Sequence, residues 1–260
     1  MPQVNAASVC TAFGLRGTFI VTGGTRGIGR AISLQFARSG AQVIANYVRN
    51  EKAALELQSE SAREGLTLTL CRADLCAPEG VNRLDAAVRE SGRSLAGIIH
   101  CAATGTHRAL EALTAKHLDW TFALNARSLF ELVTRLLGLF DGEGSILAIS
   151  SLGATHAIDQ YAAVGASKGA LEALVRHFAI ELAPRGIRAN ILRPGAVATD
   201  AWKSIPDAQA RLEEATRRSP LGRLVTPAEV ALCAQFLCSR ASGGVNGQSL
   251  VVDGGTTIVA

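Results

Sequence analysis

Tyrosine is scarce in this chain of 260 residues: only Tyr47 and Tyr161 occur, and aromatic residues make up 5%. Any chemistry that needs a phenol therefore has two candidates. The six cysteines (Cys10, Cys71, Cys76, Cys101, Cys233 and Cys238) form no Cys-x2-Cys pair and no cluster with histidine. No metal site is expected, and the usage fits reduced thiols in a cytoplasmic protein. No basic run exceeds the pair Arg217–Arg218 and the net charge is only +4, so a nucleic-acid partner is not expected. The first basic residue is Arg16, so the start lacks the charged and apolar regions of a signal peptide. No apolar run approaches the ~20 residues of a membrane span, and no membrane partner is expected.

What the chain does have is hydrophobic content, 48%, enough for a single sizeable core. Short apolar stretches alternate with helical ones. "GTFIVT" (17–22), "AQVIANY" (41–47), "LTLTLCRADL" (66–75) and "LAGIIHCAA" (95–103) read as strands, followed by "GSILAISS" (144–151), "IRANILRP" (187–194) and "QSLVVDGG" (248–255). A helix is expected over about 28–39, others after Asn50 as N-cap and from Pro78, and "TPAE" (226–229) has capping-box spacing. Seven strands separated mostly by helices predict a single-domain α/β fold: a doubly wound, Rossmann-like parallel sheet covered on both faces. Residues 1–16 read as an irregular, loose extension before the domain at 17–260.

Between the first strand and its helix lies "TGGTRGIG" (22–29). Gly23 permits a tight turn, Gly27 lets backbone approach a phosphate, and Gly29 allows close helix packing, with Thr25, Arg26 and Ile28 completing the loop. A helix N-terminus there offers unpaired N–H groups and a positive dipole end to a pyrophosphate. An NAD site usually places an acidic residue about 20 residues on, at the end of the second strand. Here that strand ends "NYVRN", with Tyr47 and Arg49 and no carboxylate before Glu51. Arg26 and Arg49 suit a 2′-phosphate, so NADPH is the expected cofactor.

These pieces, with "DL" (74–75), Asn125 in "ALNARSLF", Ser151 after "AIS", "GASKGAL", "RPG" (193–195) and "VVDGG" (251–255), resemble the short-chain dehydrogenase/reductases from about Gly17 to Val259. The resemblance implies catalytic Asn125, Ser151 and Lys168. It also implies cofactor contacts from Asp74 and Leu75, from Cys101, Ala102 and Ala103, from Lys168, and from Pro194, Gly195 and Val197. Most members carry Tyr-x3-Lys, thirteen residues after the serine. Here that slot holds Val164.

Tyr161 is the remaining candidate. Seven residues before Lys168, it is about 700° away on a helix, which is nearly the same face and one turn further than the common spacing. Tyr-x6-Lys is similar to the NADPH-dependent enoyl-acyl-carrier-protein reductases of the superfamily. The resemblance implies reduction of an enoyl thioester, on acyl carrier protein or coenzyme A, in fatty-acid or polyketide-type biosynthesis. Tyr161 would then stabilise an enolate, Lys168 would hold the nicotinamide ribose, Ser151 would line the pocket, and Asn125 would fix the local helix and a water network. The rivals are a carbonyl reductase with a re-sited tyrosine and a non-catalytic NADPH-binding scaffold.

Two departures stand out. The family's Asn-Ala-Gly after strand four is "CAA" (101–103), preceded by His100. Cys101 reads as a small buried side chain, and His156 as a rim residue of the pocket. The stretch 200–224, with Trp202, Arg211, Arg217, Arg218 and Arg223, would cover the substrate. It is either a basic patch that steers an acidic carrier or a solvated amphipathic helix. The resemblance also implies a homotetramer, with a dimer as the fallback, and with the C-terminal strand edge and two long helices as contacts.

Overall fold

The computed structural model describes residues 12–199 and 207–259. Seven strands form one all-parallel sheet: β1 (Thr18–Thr22), β2 (Gln42–Tyr47), β3 (Leu68–Arg72), β4 (Leu95–His100), β5 (Phe140–Ile149), β6 (Ile187–Pro194) and β7 (Ser249–Val252). Their order is β3-β2-β1-β4-β5-β6-β7, so the sheet is doubly wound. The chain reverses direction across the sheet between β1 and β4, and a crevice at such a switch point is where open α/β sheets bind ligands.

Alternation along each strand sends neighbouring side chains to opposite faces. Phe19, Val21, Val43, Ile99 and Leu147 join the core under α1 (Gly27–Arg38) and α8 (Pro227–Cys238). Ile20, Ile44, Ile98 and Ile146 face α3 (Pro78–Glu90), α5 (Ser128–Leu136) and α6 (Ala162–Glu181). Helix α2 (Glu51–Arg63) adds Leu57 to a smaller cluster with Leu34 and Ala45. Helices α4 (Ala115–Phe122) and α7 (Ala208–Arg218) lie outside these clusters. Burial on both faces is why the strands read as continuous apolar runs.

The expected starts hold. Asn50 accepts from the Ala53 N–H, Pro78 opens α3, and Thr226 and Glu229 form a reciprocal capping box. Several boundaries move. β3 is shorter than 66–75, and β4 stops at His100 rather than Ala103. β5 starts earlier, at Phe140, and ends at Ile149, because Ser151 leaves the ladder to cap the next turn. The stretch before Gly17 is not loose where it is described. Leu15 is buried and its N–H donates to the Ser39 carbonyl, while Phe13 packs on Phe236. An apolar side chain had a core position within reach.

Candidate active site

The glycine loop sits where β1 meets α1. Gly23 has φ +61°, and a Cβ there would lie 3.0 Å from the Ala102 backbone. Gly29 abuts the Gly23 carbonyl so closely that no side chain fits, which lets the helix start against the turn. Arg26 is the N-cap of α1 with no side-chain cap, so the first N–H groups of the helix stay free of one. Thr25 is buried, while Ile28 is half-buried. Arg26 and Arg49 are both exposed, and neither side chain has an ion-pair partner among the described residues. Tyr47 closes β2, and Asn46 beside it ties β2 to β3 through the Cys71 and Ala73 carbonyls. This cradle fits the phosphates of a dinucleotide: close backbone, open N–H groups, and two unpaired cations.

Around it, Asp74 is exposed and accepts the Cys76 N–H, shaping the entry to α3, while Leu75 is buried. On the far side Gly195 donates to the Val252 carbonyl, and its Cα packs against Asp253 too tightly for a side chain. Pro194 ends β6, and Val197, also buried, bridges Val225.

After β4 the chain is anchored by one hydroxyl. Thr22 Oγ accepts the N–H groups of Cys101 and Ala102, at 3.1 and 3.0 Å. Its own proton goes to His100 Nδ1, 3.1 Å away, and His100 Nε2–H donates to the Leu124 carbonyl at 3.2 Å. Burial, with Lys168 nearby, pushes His100 down to about 3, so the ring is neutral. Burial likewise pushes the Cys101 thiol up to about 11. It is a neutral thiol, and Ala103 beside it is exposed.

Asn125 lies in a π-helical turn (Ala123–Arg127) between α4 and α5. Its amide donates to the Thr104 carbonyl and to Ser167 Oγ, both at 2.9 Å, and its oxygen accepts the Thr104 N–H at 2.8 Å. Both amide protons are used by protein groups. Asn125 is thereby a clamp between the loop after β4 and α6.

Tyr161 is the N-cap of α6, with φ −117° and ψ 9°, rather than a residue inside it. The same-face argument survives because its carbonyl accepts the Gly165 N–H at 2.7 Å, as in a helical turn. Its hydroxyl donates to Ser151 Oγ at 3.2 Å. Burial pushes the phenol up, and the Ser151 contact opposes the shift only in part. The ring lies over Gly153, where a Cβ would come within 2.5 Å of it. Lys168 is buried and donates to the Ile149 carbonyl at 2.7 Å. Burial pulls its ammonium down to about 8. Val164, in the common tyrosine slot, is buried against Gly105.

A family model described as Enoyl-(Acyl carrier protein) reductase matches residues 23–257. The chain belongs to the short-chain dehydrogenase/reductase superfamily. It is 35% identical to the 1-cyclohexenylcarbonyl-CoA reductase of Streptomyces collinus over 93% of this chain and 87% of that protein. It superposes on a dehydrogenase/reductase from Sinorhizobium meliloti 1021 with a TM-score of 0.89 and 31% identity, covering 96% and 99% of the two chains. A gluconate 5-dehydrogenase from Burkholderia cenocepacia J2315, solved with NADP and tartrate, gives 0.88 and 28% over 97% and 100%. As a short-chain reductase, the chain uses a nicotinamide cofactor.

Some residues of this reductase's site were not singled out from the sequence. The His107 ring packs on Tyr161 with centroids 5.3 Å apart, and burial lowers its pKa ahead of a smaller effect from Arg211. Glu172 and Arg193 form a buried ion pair behind Lys168. Glu172, four residues after Lys168 on an otherwise apolar helical face, was the legible signal. His156 is exposed; its ring hydrogen-bonds the Thr155 hydroxyl at 3.0 Å and its N–H donates to the Leu152 carbonyl at 3.0 Å. In the proposed substrate cover, Trp202 lies outside the described residues. Helix α7 buries no residue, and two of its three arginines are paired: Arg211 with Asp159 at 3.8 Å and Arg217 with Glu214. Arg223, after the helix, pairs with Glu229 at 2.7 Å. Of these four arginines only Arg218 has no ion-pair partner among the described residues, which favours a solvated amphipathic helix over a basic patch for residues 208–218.

Proposed function

We propose that this protein is an NADPH-dependent reductase of the carbon–carbon double bond of an enoyl thioester. The observation that carries the reading is the place of the phenol. Val164 fills the common tyrosine slot with a buried methyl group, and Tyr161, next to Ser151, is the phenol left near Lys168. A ketoreductase must protonate the oxygen on the carbon that receives hydride. An enoyl reductase must instead stabilise an oxygen two atoms further away, and one helical turn is about 5.4 Å.

When bound, the nicotinamide supplies a hydride. Arg26 and Arg49 hold the 2′-phosphate, and the start of α1 holds the pyrophosphate. Lys168 has spent one of three donors on Ile149 and keeps two for the nicotinamide ribose. Tyr161, held protonated by burial, donates to the thioester oxygen as negative charge develops there, and Ser151 shares that contact. Asn125 and Thr22 keep the loop after β4 in place.

The family description and the acyl-CoA named for the Streptomyces relative both support a thioester conjugated to an alkene. A fatty-acid or polyketide-type pathway is the corresponding setting. The β7 edge and the exposed Leu110, Leu118, Phe130 and Ile180 support a homotetramer.

The test is NADPH oxidation with a short enoyl-CoA and, separately, with the matching β-ketoacyl-CoA. The expected result is turnover of the first far above the second. The reverse preference would establish a ketoreductase, and tight NADPH binding without turnover of either would establish a scaffold.

A further inference from the structure

Behind Lys168 the fold buries a second set of charges. Glu172 stands one helical turn along α6. It accepts from Ser150 Oγ at 2.6 Å, and from Arg193 Nε and Nη2 at 3.0 and 2.6 Å. The side chains of Glu172 and Arg193 are only 4% and 12% exposed. Arg176 approaches the same carboxylate at 4.0 Å from the solvent side of α6. One carboxylate therefore ties α6, which carries Lys168, to the ends of β5 and β6. Those ends carry Ser151 and the Pro194–Gly195 turn.

The remaining neighbours of Lys168 bring no charge that could replace it. From the end of β4 and the residue after it come His100, a neutral ring with both nitrogens hydrogen-bonded, and Cys101, a thiol that ionises only near 11. From β5 comes the Ile149 carbonyl, a dipole. Glu172 is the one anion near the buried ammonium among the described residues. It forms no direct ion pair with Lys168, so it acts through space across one turn of helix.

We propose that Glu172 is a positioning residue for Lys168: its carboxylate, anchored by Arg193 and Ser150, keeps the ammonium charged and the strand ends around it aligned. The functional consequence rests on the place given above to Lys168 at the nicotinamide ribose. The charge relationship itself does not. Burial opposes the ammonium and is the largest effect; Cys101 and then Glu172 favour it, and Lys168 titrates near 8, where the Cys101 thiol is still protonated and Glu172 is the standing anion.

The chain has only four lysines (Lys52, Lys116, Lys168 and Lys203), so its titration can be observed directly. Full-length protein labelled with ¹³Cε-lysine, free of cofactor, gives few signals, and Lys168→Arg identifies the relevant one. In Glu172→Gln the Lys168 midpoint should fall, the proton concentration at half-titration rising about tenfold. Glu172→Asp keeps the charge and should stay near the wild-type midpoint. The double variant Glu172→Gln/Arg193→Met leaves no unpaired buried charge and covers the case where the single variant does not fold. It should also lower the midpoint, but by less than Glu172→Gln alone, because a cation leaves together with the anion.

An unchanged midpoint in either Gln variant would overturn the proposal and leave Glu172 as scaffold alone. The NMR signal needs no turnover. A shifted midpoint in an enzyme that reduces no enoyl thioester would retire the substrate reading and keep this one.

Discussion

A methyl group of Val164 occupies the space that a Cβ on Gly105 would need. The helix therefore meets the loop after β4 at the position where most relatives in this superfamily present their tyrosine. A phenol at 164 has to displace either that loop or its own helix. Val164→Tyr should lower stability by about 1–3 kcal/mol, the range for overpacked cores, as read from thermal unfolding. Any ketoreductase activity it gained would come with that loss. An unchanged Tm would mean that the ring has an exit the packing does not reveal.

Tyr161→Phe removes a hydroxyl and keeps the ring that packs over Gly153 and against His107. Single-turnover reduction of an enoyl thioester at saturating NADPH should slow by about 10²–10³-fold, the cost of one oxyanion donor. NADPH affinity should stay the same. Wild-type speed would make the tyrosine a packing residue and remove the main support for enoyl reduction.

Gly153→Ala tests the same ring from below. Its new methyl would come within 2.5 Å of the Tyr161 ring, so the phenol must move off Ser151. Misplacement by about 1 Å can cost about 10²-fold in rate. The expected signature is a fall in kcat with little change in NADPH binding, measured by steady-state kinetics and cofactor fluorescence.

The paired change Arg26→Ala/Arg49→Ala should weaken NADPH far more than NADH. Only NADPH carries the 2′-phosphate, and charged hydrogen bonds contribute about 1.5–3 kcal/mol each. Fluorescence titration with both cofactors decides it. Equal losses would remove the assignment.

The Lys168 ammonium gives a pH dependence with a definite sign. In the free protein it titrates near 8, and an anionic cofactor that binds the charged form raises that value in the complex. Above pH 8 the free protein must take up a proton on binding. NADPH affinity should therefore weaken as pH rises, by up to tenfold per unit, until the pKa of the complex is reached. Lys168→Ala should bind NADPH weakly and lose this slope, and a slope that persisted would have to come from another group.

The local rules written in the chain were sufficient for the elements. Apolar runs of strand length between helical stretches required a parallel sheet buried on both faces, because neither face could be left to water. Asn50, Pro78 and Thr226–Glu229 marked helix starts through contacts within three residues, and β6 appeared with the bounds read for it. The glycine loop was legible for the same reason: its geometry is a property of eight consecutive residues. The tertiary structure decided what those elements bring together. Whether Tyr161 meets Ser151, whether Asn125 reaches Ser167, and whether Glu172 finds Arg193 all depend on how α6 settles against its neighbours. Periodicity assigns a side chain to a face, but not to a partner 10 or 21 residues away on another element. Those contacts exist only once the sheet has closed around them, and burial there moves the pKa values of His100, Cys101 and Lys168 away from those of the free side chains.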